Sequence, residues 1–455
     1  MLLIISDVHL GDGTTAKSIP PSAFRLFGDR LRETAYFASW RADGSYRPIE
    51  NIDLVLMGDI LDPLHSTRWL ATAPGEENYV RPWSDPETHI YQTKLREVTA
   101  AILEQNKEAV QVLRRCAIGE LVNLPPATAN GKPDHESGER IPLKVRTHYT
   151  IGNHDWYYHL LGEAFDQVRQ DMIDTMGLSN LPTNFPYDLE EYSPLMGIFN
   201  RYRVFGRHGD CFDKFNFDPE KGRNHGTLGD VFTMEVLNRF PVEVQKRFGD
   251  ELPAGIVDSL RRLTNIRPVL AAPLWISGQI KNYAGSKALE EELKEVWDDI
   301  CDEFLQTDYV READKLFQFD IVDAMELAVN ISKRASFNTI NDVVAWAYDK
   351  FGGEKQSFAE HALQEPAFLN DSARYIVYGH THHHEIVPLD EDMKPPHTES
   401  QLYFNSGTWH SYYALAIKNP AEQKFVPYQA LTYLIFYKGD ERGGHHFETW
   451  SGAYA

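Results

Sequence analysis

Short apolar runs, each stopped by a cluster of Gly, Asp, Asn or His, set the rhythm of this chain. Leu2–Ile5 runs into Asp7, Leu54–Met57 into Gly58, Tyr149–Ile151 into Gly152, Arg203–Arg207 into His208 and Tyr375–Tyr378 into Gly379. Runs of this length bounded by Gly and Asp predict buried strands. The glycines before Asp59, Asn153 and His380 predict tight turns where the backbone leaves its strand. Between these runs the period lengthens. Ala23–Trp40 and residues 88–122 predict helices, the second with Leu95, Val98, Ile102 and Leu103 at helical spacing. Residues 63–85, with several Pro and Trp, and 125–142 predict irregular chain.

From 212 to 370 the pattern is helical. Val236, Phe240, Val244 and Phe248 recur every four residues, and Val257, Leu260 and Leu263 every three. Leu289, Leu293, Val296, Trp297, Ile300 and Phe304 form one stripe. Leu316, Phe319, Val322, Met325 and Val329 form another, and Val343, Val344, Ala347 and Phe351 a third. Stripes of this kind predict helices packed on one another, ahead of direct substrate contact. After Gly379 strands return at Leu402–Asn405, Tyr412–Ile417 and Leu431–Tyr437, with a hairpin turn at Arg442-Gly443-Gly444. The expected organisation is an α/β core of residues 1–211 and 371–455, interrupted by a helical insert at 212–370.

Composition narrows the function. The chain has 455 residues, 45 basic and 67 acidic side chains, and a formal net charge of −22. That balance disfavours broad binding to nucleic acid, which relies on Lys and Arg displacing counterions, but leaves room for a small phosphorylated substrate. The three cysteines, Cys116, Cys211 and Cys301, are widely spaced and suit a reducing compartment. The apolar start lacks a basic leader, and no apolar run reaches the roughly 18–20 residues that span a bilayer. The expectation is a cytoplasmic protein without a transmembrane segment.

The clusters carry the chemistry. They are Asp7-Val8-His9, Gly58-Asp59-Ile60-Leu61-Asp62, Gly152-Asn153-His154-Asp155, His208-Gly209-Asp210 and Gly379-His380-Thr381-His382. Carboxylate oxygen and imidazole nitrogen together suit manganese, iron, zinc or cobalt. Alternate residues of an extended segment point the same way, so Asp7 and His9 can both reach one ion, and the His380-Thr381-His382 spacing again suits an extended turn. Asp59 can offer one oxygen to each of two ions, and Asn153 an amide oxygen. Two carboxylates against two divalent ions leave a site of charge +2, or +1 with a hydroxide between them, which favours phosphate. His154 is left over as a proton donor. Asp155 is a candidate to fix its tautomer, and Asp62 a candidate support.

In this order the clusters resemble the calcineurin-like metallophosphoesterase superfamily. The resemblance implies a four-layer αββα sandwich with a dinuclear site at strand ends. It implies that Asp7, His9 and His382 hold one ion, Asn153, His208 and His380 the other, with Asp59 as bridge and His154 as general acid. It also implies hydrolysis of phosphate mono- or diester or pyrophosphate bonds by metal-bound hydroxide, with manganese the first expectation. Asn405-Ser406-Gly407-Thr408 resembles the Asn-x-Gly-Ser/Thr turn that follows the last histidine pair. His208-Gly209-Asp210-(two residues)-Asp213 is similar to the pyrophosphatases that cleave UDP-2,3-diacylglucosamine, although His154 stands where those enzymes tend to have Arg and the insert is much longer. Asp62-Pro63-Leu64 lacks the Asp-Arg-Gly of the serine/threonine protein phosphatases. Two rival functions are a nuclease acting on DNA, RNA or nucleotides, and a catalytically idle, metal-stabilised binding protein.

Overall fold

A computed structural model describes residues 1–15, 19–267, 272–307, 309–311, 357–392, 399–415 and 425–453. It is an α/β protein with several mixed sheets. The larger sheet has five strands in the order Phe447–Ala453, Ala430–Phe436, Leu2–Ile5, Ile52–Met57, Val145–Thr150. Leu2–Ile5 runs parallel to Ile52–Met57, which runs parallel to Val145–Thr150; on its other flank Ala430–Phe436 is antiparallel. A second sheet has the order Val204–Gly206, Tyr375–Tyr378, Glu399–Ser406, His384–Asp392.

The unbroken apolar runs follow from burial on both faces. Successive side chains of a strand point to opposite sides. Leu3, Ile5, Leu54 and Leu56 accordingly share a core with Phe24, Phe27 and Leu31 of the Pro21–Ala38 helix and with Leu95, Val98 and Ile102 of His89–Gln105. Leu2, Ile4, Val55 and Met57 turn the other way, into a core shared with Val204, Tyr375, Val377 and Phe404 of the second sheet. Beyond that sheet, Ile376, Tyr378 and Tyr403 meet Phe358, Ala359 and Ala362. The inner strands of both sheets are therefore dry on two faces, whereas the edge strand His384–Asp392 is partly exposed.

Two details depart from the periodicity. The helix expected over 88–122 is broken at Asn106 into His89–Gln105 and Lys107–Ala117. The Asn106 amide donates to the carbonyl of Ile102 and to that of Gly11, so the break braces the loop after His9. The stretch from 212 onward is not helical throughout: Ile266–Arg267 is a short strand beside Tyr412–Leu415. Ile266 is buried there, which ties this stretch to the chain after Gly379.

The helical stripes at 236–304 form a core of their own. Val236, Phe240, Val244, Leu260, Leu263, Leu293, Val296, Trp297, Ile300 and Phe304 lie in one apolar cluster. The stripes from Leu316 to Val329 and from Val343 to Phe351, and the end of the strand predicted over Tyr412–Ile417, lie outside the described residues. A π-helical turn, Thr233–Asn238, joins the Leu228–Phe232 helix to Arg239–Phe248. It carries Glu235 to Arg81, whose Nε lies 2.7 Å away, and Asn238 to the carbonyl of Leu64, 2.9 Å away. Widened turns of this type recur next to functional sites. Among the described residues no helix is long and apolar enough to cross a membrane.

Candidate metal centre

The loops after the core strands converge. Asp7, His9, Asp59, Asp62, Asn153, His208 and His382 are all buried, and His154 and His380 are nearly so. Nine non-glycine residues among those described have positive φ, and five of them are Asp7, His9, Asp59, His380 and His382. Such a backbone costs about 1–3 kcal/mol at each position and persists only where its surroundings over-determine it. Here they do. The Asp7 carbonyl accepts from the Thr408 hydroxyl (2.6 Å) and the Trp409 amide (3.1 Å), and the Asn405 side chain donates to the Gly379 carbonyl at 2.8 Å. The Asn405–Thr408 turn thus clamps the first and last clusters together. The Ser6 hydroxyl bonds the Asp7 carboxylate.

The glycines serve two purposes. Gly58 does adopt positive φ, as a tight turn requires. Gly152 and Gly379 do not; a Cβ on Gly152 would overlap the Asp59 carboxylate, and one on Gly379 would overlap Asp7 and Ser6. Room for the carboxylates, rather than backbone freedom, accounts for these two.

Two groups of donor atoms gather here: Asp7 with His9 and His382, and Asp59 with His208 and His380, each group within 4.8 Å. Their contacts have a common character. His208 Nδ1 lies 3.1 Å from the Met57 carbonyl, so it donates there, and Nε2 lies 3.2 Å from Asp59 Oδ2 and 3.3 Å from Asn153 Oδ1; burial works against a charge on this ring, but Asp59 and Asp7 outweigh it and raise its pKa well above the usual range. His380 Nε2 lies 3.0 Å from Asp213 Oδ2, which leaves Nδ1 facing Asn153 Oδ1 at 3.0 Å. His9 Nδ1 lies 2.8 Å from Asp62 Oδ2, leaving Nε2 toward His382 Nε2 at 3.1 Å; that atom lies 3.3 Å from Asp7 Oδ1. Ring nitrogens whose far side is bonded to an acceptor present lone pairs to carboxylates. Carboxylates that converge in a buried space are stabilised by a cation, whether a metal ion or a protonated imidazole. Separations of 3.0–3.3 Å also match the edges of a coordination shell with ligand distances of about 2.0–2.2 Å. The donor set therefore fits divalent ions of the transition series.

A third group is different. Asp62 accepts from three imidazoles: Oδ2 from His9 Nδ1 (2.8 Å) and His65 Nδ1 (2.6 Å), and Oδ1 from His154 Nδ1 (3.2 Å). The shorter distances are hydrogen bonds, with protons already between the heavy atoms. Burial opposes the Asp62 charge, but His65 and His154 hold its carboxyl well below the usual range. Burial likewise works against a charged His154, but Asp62 and Asp59 outweigh it and raise the ring to about 9. On His65 burial wins and the shift is downward. For Asp59, burial is outweighed by His208 and His154, and its carboxyl is held well below the usual range.

The partner of the His154 ring is thus Asp62 and not Asp155. Asp155 points inward, where Gly152 N (2.5 Å), Ile60 N (3.0 Å) and the Tyr149 hydroxyl (2.7 Å) take up its oxygens. Burial, with Asp59 nearby, pushes Asp155 up to about 7. It ties the turn after Gly58 to the turn after Gly152. Sequence reasoning missed His65, whose only sign was a position three residues after Asp62, and gave Asp213 no role beside His380. The nearby arginines are paired within the chain: Arg68 with Asp12 and Glu97, Arg81 with Glu235, and Arg207 with Asp188 and Glu365. No family model matches this chain, and no curated protein does.

Proposed function

We propose that the protein is a dinuclear-metal phosphoesterase of the calcineurin-like type, with core residues 1–211 and 371–455 in four αββα layers and residues 212–370 as an insert beside the cleft. Asp7, His9 and His382 would hold one ion and Asn153, His208 and His380 the other, with Asp59 shared between them. When bound, such ions polarise a phosphoryl oxygen and lower the pKa of water, which gives hydrolysis of phosphate mono- or diester or pyrophosphate bonds. The observation that supports this reading is the gathering of Asp7, His9 and His382, and of Asp59, His208 and His380, each with ligand atoms within 4.8 Å of one another.

The chain's own residues do the rest. His154 has its Nδ1 on Asp62 and an edge open to solvent, with 14% of its side chain exposed, so Nε2 is placed to donate a proton to a leaving alkoxide. Its backbone amide donates to Asp59 Oδ1 at 2.8 Å, which fixes the ring's distance from the shared carboxylate. Asp213 and the Met57 carbonyl orient His380 and His208, and Asp62 orients His9. Manganese is the first metal to test, with iron, zinc and cobalt next. The test is turnover of p-nitrophenyl phosphate and bis-p-nitrophenyl phosphate after chelation and reloading. Failure to hydrolyse either ester with any of these metals removes the catalytic assignment.

A further inference from the structure

A cavity of about 360 Å³ opens between two loops of the core and the helix that follows the π turn. Its volume is within the range of ligand pockets, about 300 to 1,000 Å³. Thr14, Thr15 and Thr67 stand on one side; Gln245, Lys246 and Arg261 stand on the other. The loops on the threonine side are those that carry His9 and Asp62. Thr14 follows His9 by five residues and Thr67 follows Asp62 by five, so the chain keeps this wall within about 18 Å of both. The Thr67 amide donates to the Thr14 hydroxyl at 2.9 Å, and the Thr15 hydroxyl donates to the His65 carbonyl at 2.8 Å. The His65 ring in turn lies 4.9 Å from that of His154.

The charge of this lining runs against that of the chain. The protein has 67 acidic and 45 basic side chains, yet the lining holds Lys246 and Arg261 and, among the described residues, no carboxylate. Neither cation is held fast. Lys246 lies 3.7 Å from Glu243 and Arg261 lies 3.3 Å from Asp258, with 33% or more of each side chain exposed. Exposed pairs of this kind are weak and leave both cations able to turn to a ligand. Asp12, behind Thr14, is already satisfied: Oδ1 accepts from the Thr14 hydroxyl at 2.6 Å, and Oδ2 from Ser66 at 2.6 Å and Arg68 at 3.1 Å. Neutral donors stand beside the cations. The Thr67 hydroxyl and the Gln245 side-chain amide have no hydrogen-bond partner among the described residues. Two cations with a hydroxyl and an amide suit an oxyanion with several acceptor oxygens, and phosphate most of all.

We infer that this cavity is an anion subsite, which takes a second phosphate of the substrate while the first is bound at the histidine and aspartate cluster. The inference rests on the phosphoesterase reading and deepens it, since it makes the substrate a molecule with two separated phosphates. The test is kcat/KM of the metal-loaded full chain on alkanediol bisphosphates of three to ten carbons, each against the alkyl monophosphate of the same length. The expected preference for at least one bisphosphate is about tenfold or more, the size of one charge-assisted hydrogen bond. The double variant Lys246→Gln/Arg261→Gln should abolish that preference, chiefly through KM. Gln245→Glu, which puts a carboxylate into the lining at an exposed position, should do the same if the double variant does not fold. The ratio is read within each variant, so a general loss of activity cancels. No preference for any bisphosphate, or a preference that both variants leave intact, overturns the subsite. Equilibrium dialysis of inorganic phosphate separates the source of the anion. Phosphate bound by the parent chain and lost in the double variant, without a bisphosphate preference, assigns the cavity to a free anion and overturns the substrate subsite. Bis-p-nitrophenyl phosphate, assayed in parallel, separates the two failures. Its turnover without a bisphosphate preference removes the subsite and keeps the phosphoesterase, whereas no turnover of any ester removes the phosphoesterase reading and the substrate subsite with it.

Discussion

Two buried assemblies of the same residue types lie side by side and behave differently. In the first, two groups, Asp7 with His9 and His382 and Asp59 with His208 and His380, each bring ligand atoms within 4.8 Å of one another. In the second, Asp62 is surrounded by ring nitrogens that give it protons. Both are oriented from outside: the Met57 carbonyl holds His208 and Asp213 holds His380, while Asp62 holds the rings of the second. His9 belongs to both assemblies, one nitrogen in each.

The largest effect that can break this contrast is at Asp59. Asp59→Asn is expected to lower kcat/KM on bis-p-nitrophenyl phosphate by at least about 10³-fold, roughly 4 kcal/mol, and to lower bound metal in elemental analysis. Unchanged metal content and rate would end the distinction. Next come Asp62→Asn and His154→Ala. Both should keep full metal stoichiometry at saturating metal, while kcat falls by about 10²–10⁴-fold. Because the two act as one unit, the double variant should lose little more than either single one. Multiplying losses, or loss of metal in His154→Ala, would show that His154 is not the paired acid.

A smaller effect sharpens the contrast through stability. Metal at about 100 times its Kd should add roughly 2.7 kcal/mol to the unfolding free energy. The gain should vanish in Asp59→Asn and persist in Asp62→Asn, read by denaturant melts with and without chelator. A separate effect concerns a buried carboxyl outside both assemblies. Burial pushes Asp230 up to about 7, against the opposing pull of Thr227 N, which donates to it at 2.8 Å, and of His154. Its pKa is raised in the fold, so between about pH 4 and 7 the native state holds a proton that the unfolded chain has lost. Stability should therefore fall as pH rises through that window, by no more than about 1.4 kcal/mol per pH unit, and level off above it. Asp230→Asn should flatten that slope; an identical slope in the variant would place its origin elsewhere.

The strands were legible because burial on both faces leaves runs such as Leu2–Ile5 and Tyr375–Tyr378 with no polar residue to blur them. The convergence of His9 with His382 was legible only because each cluster ends such a run. The partner of His154 was not. Asp155 is adjacent in sequence, but the turn after Gly152 sends it inward to Tyr149, and Asp62 reaches the ring from another loop. His65 was hidden for a similar reason, since three residues of irregular chain carry no periodicity. The break at Asn106 was invisible because an Asn within a helical stripe gives no sign of a carbonyl waiting from another loop.

One feature of the larger sheet bears on how the protein is made. Leu2–Ile5 lies between Ile52–Met57 and Ala430–Phe436, with Leu2 opposite Phe436. A ribosome delivers the first of these strands long before the last, so the sheet stays open at that flank throughout most of synthesis. The helices from 228 to 305 pack largely on one another, with Tyr413 and Phe425 added from the late strands. Asp7 and His382 meet only when the late strands arrive. A nascent chain therefore lacks the assembled cluster and exposes a long apolar edge for some time. Slow translation or a shortage of chaperone should then cost yield before it costs activity per folded molecule.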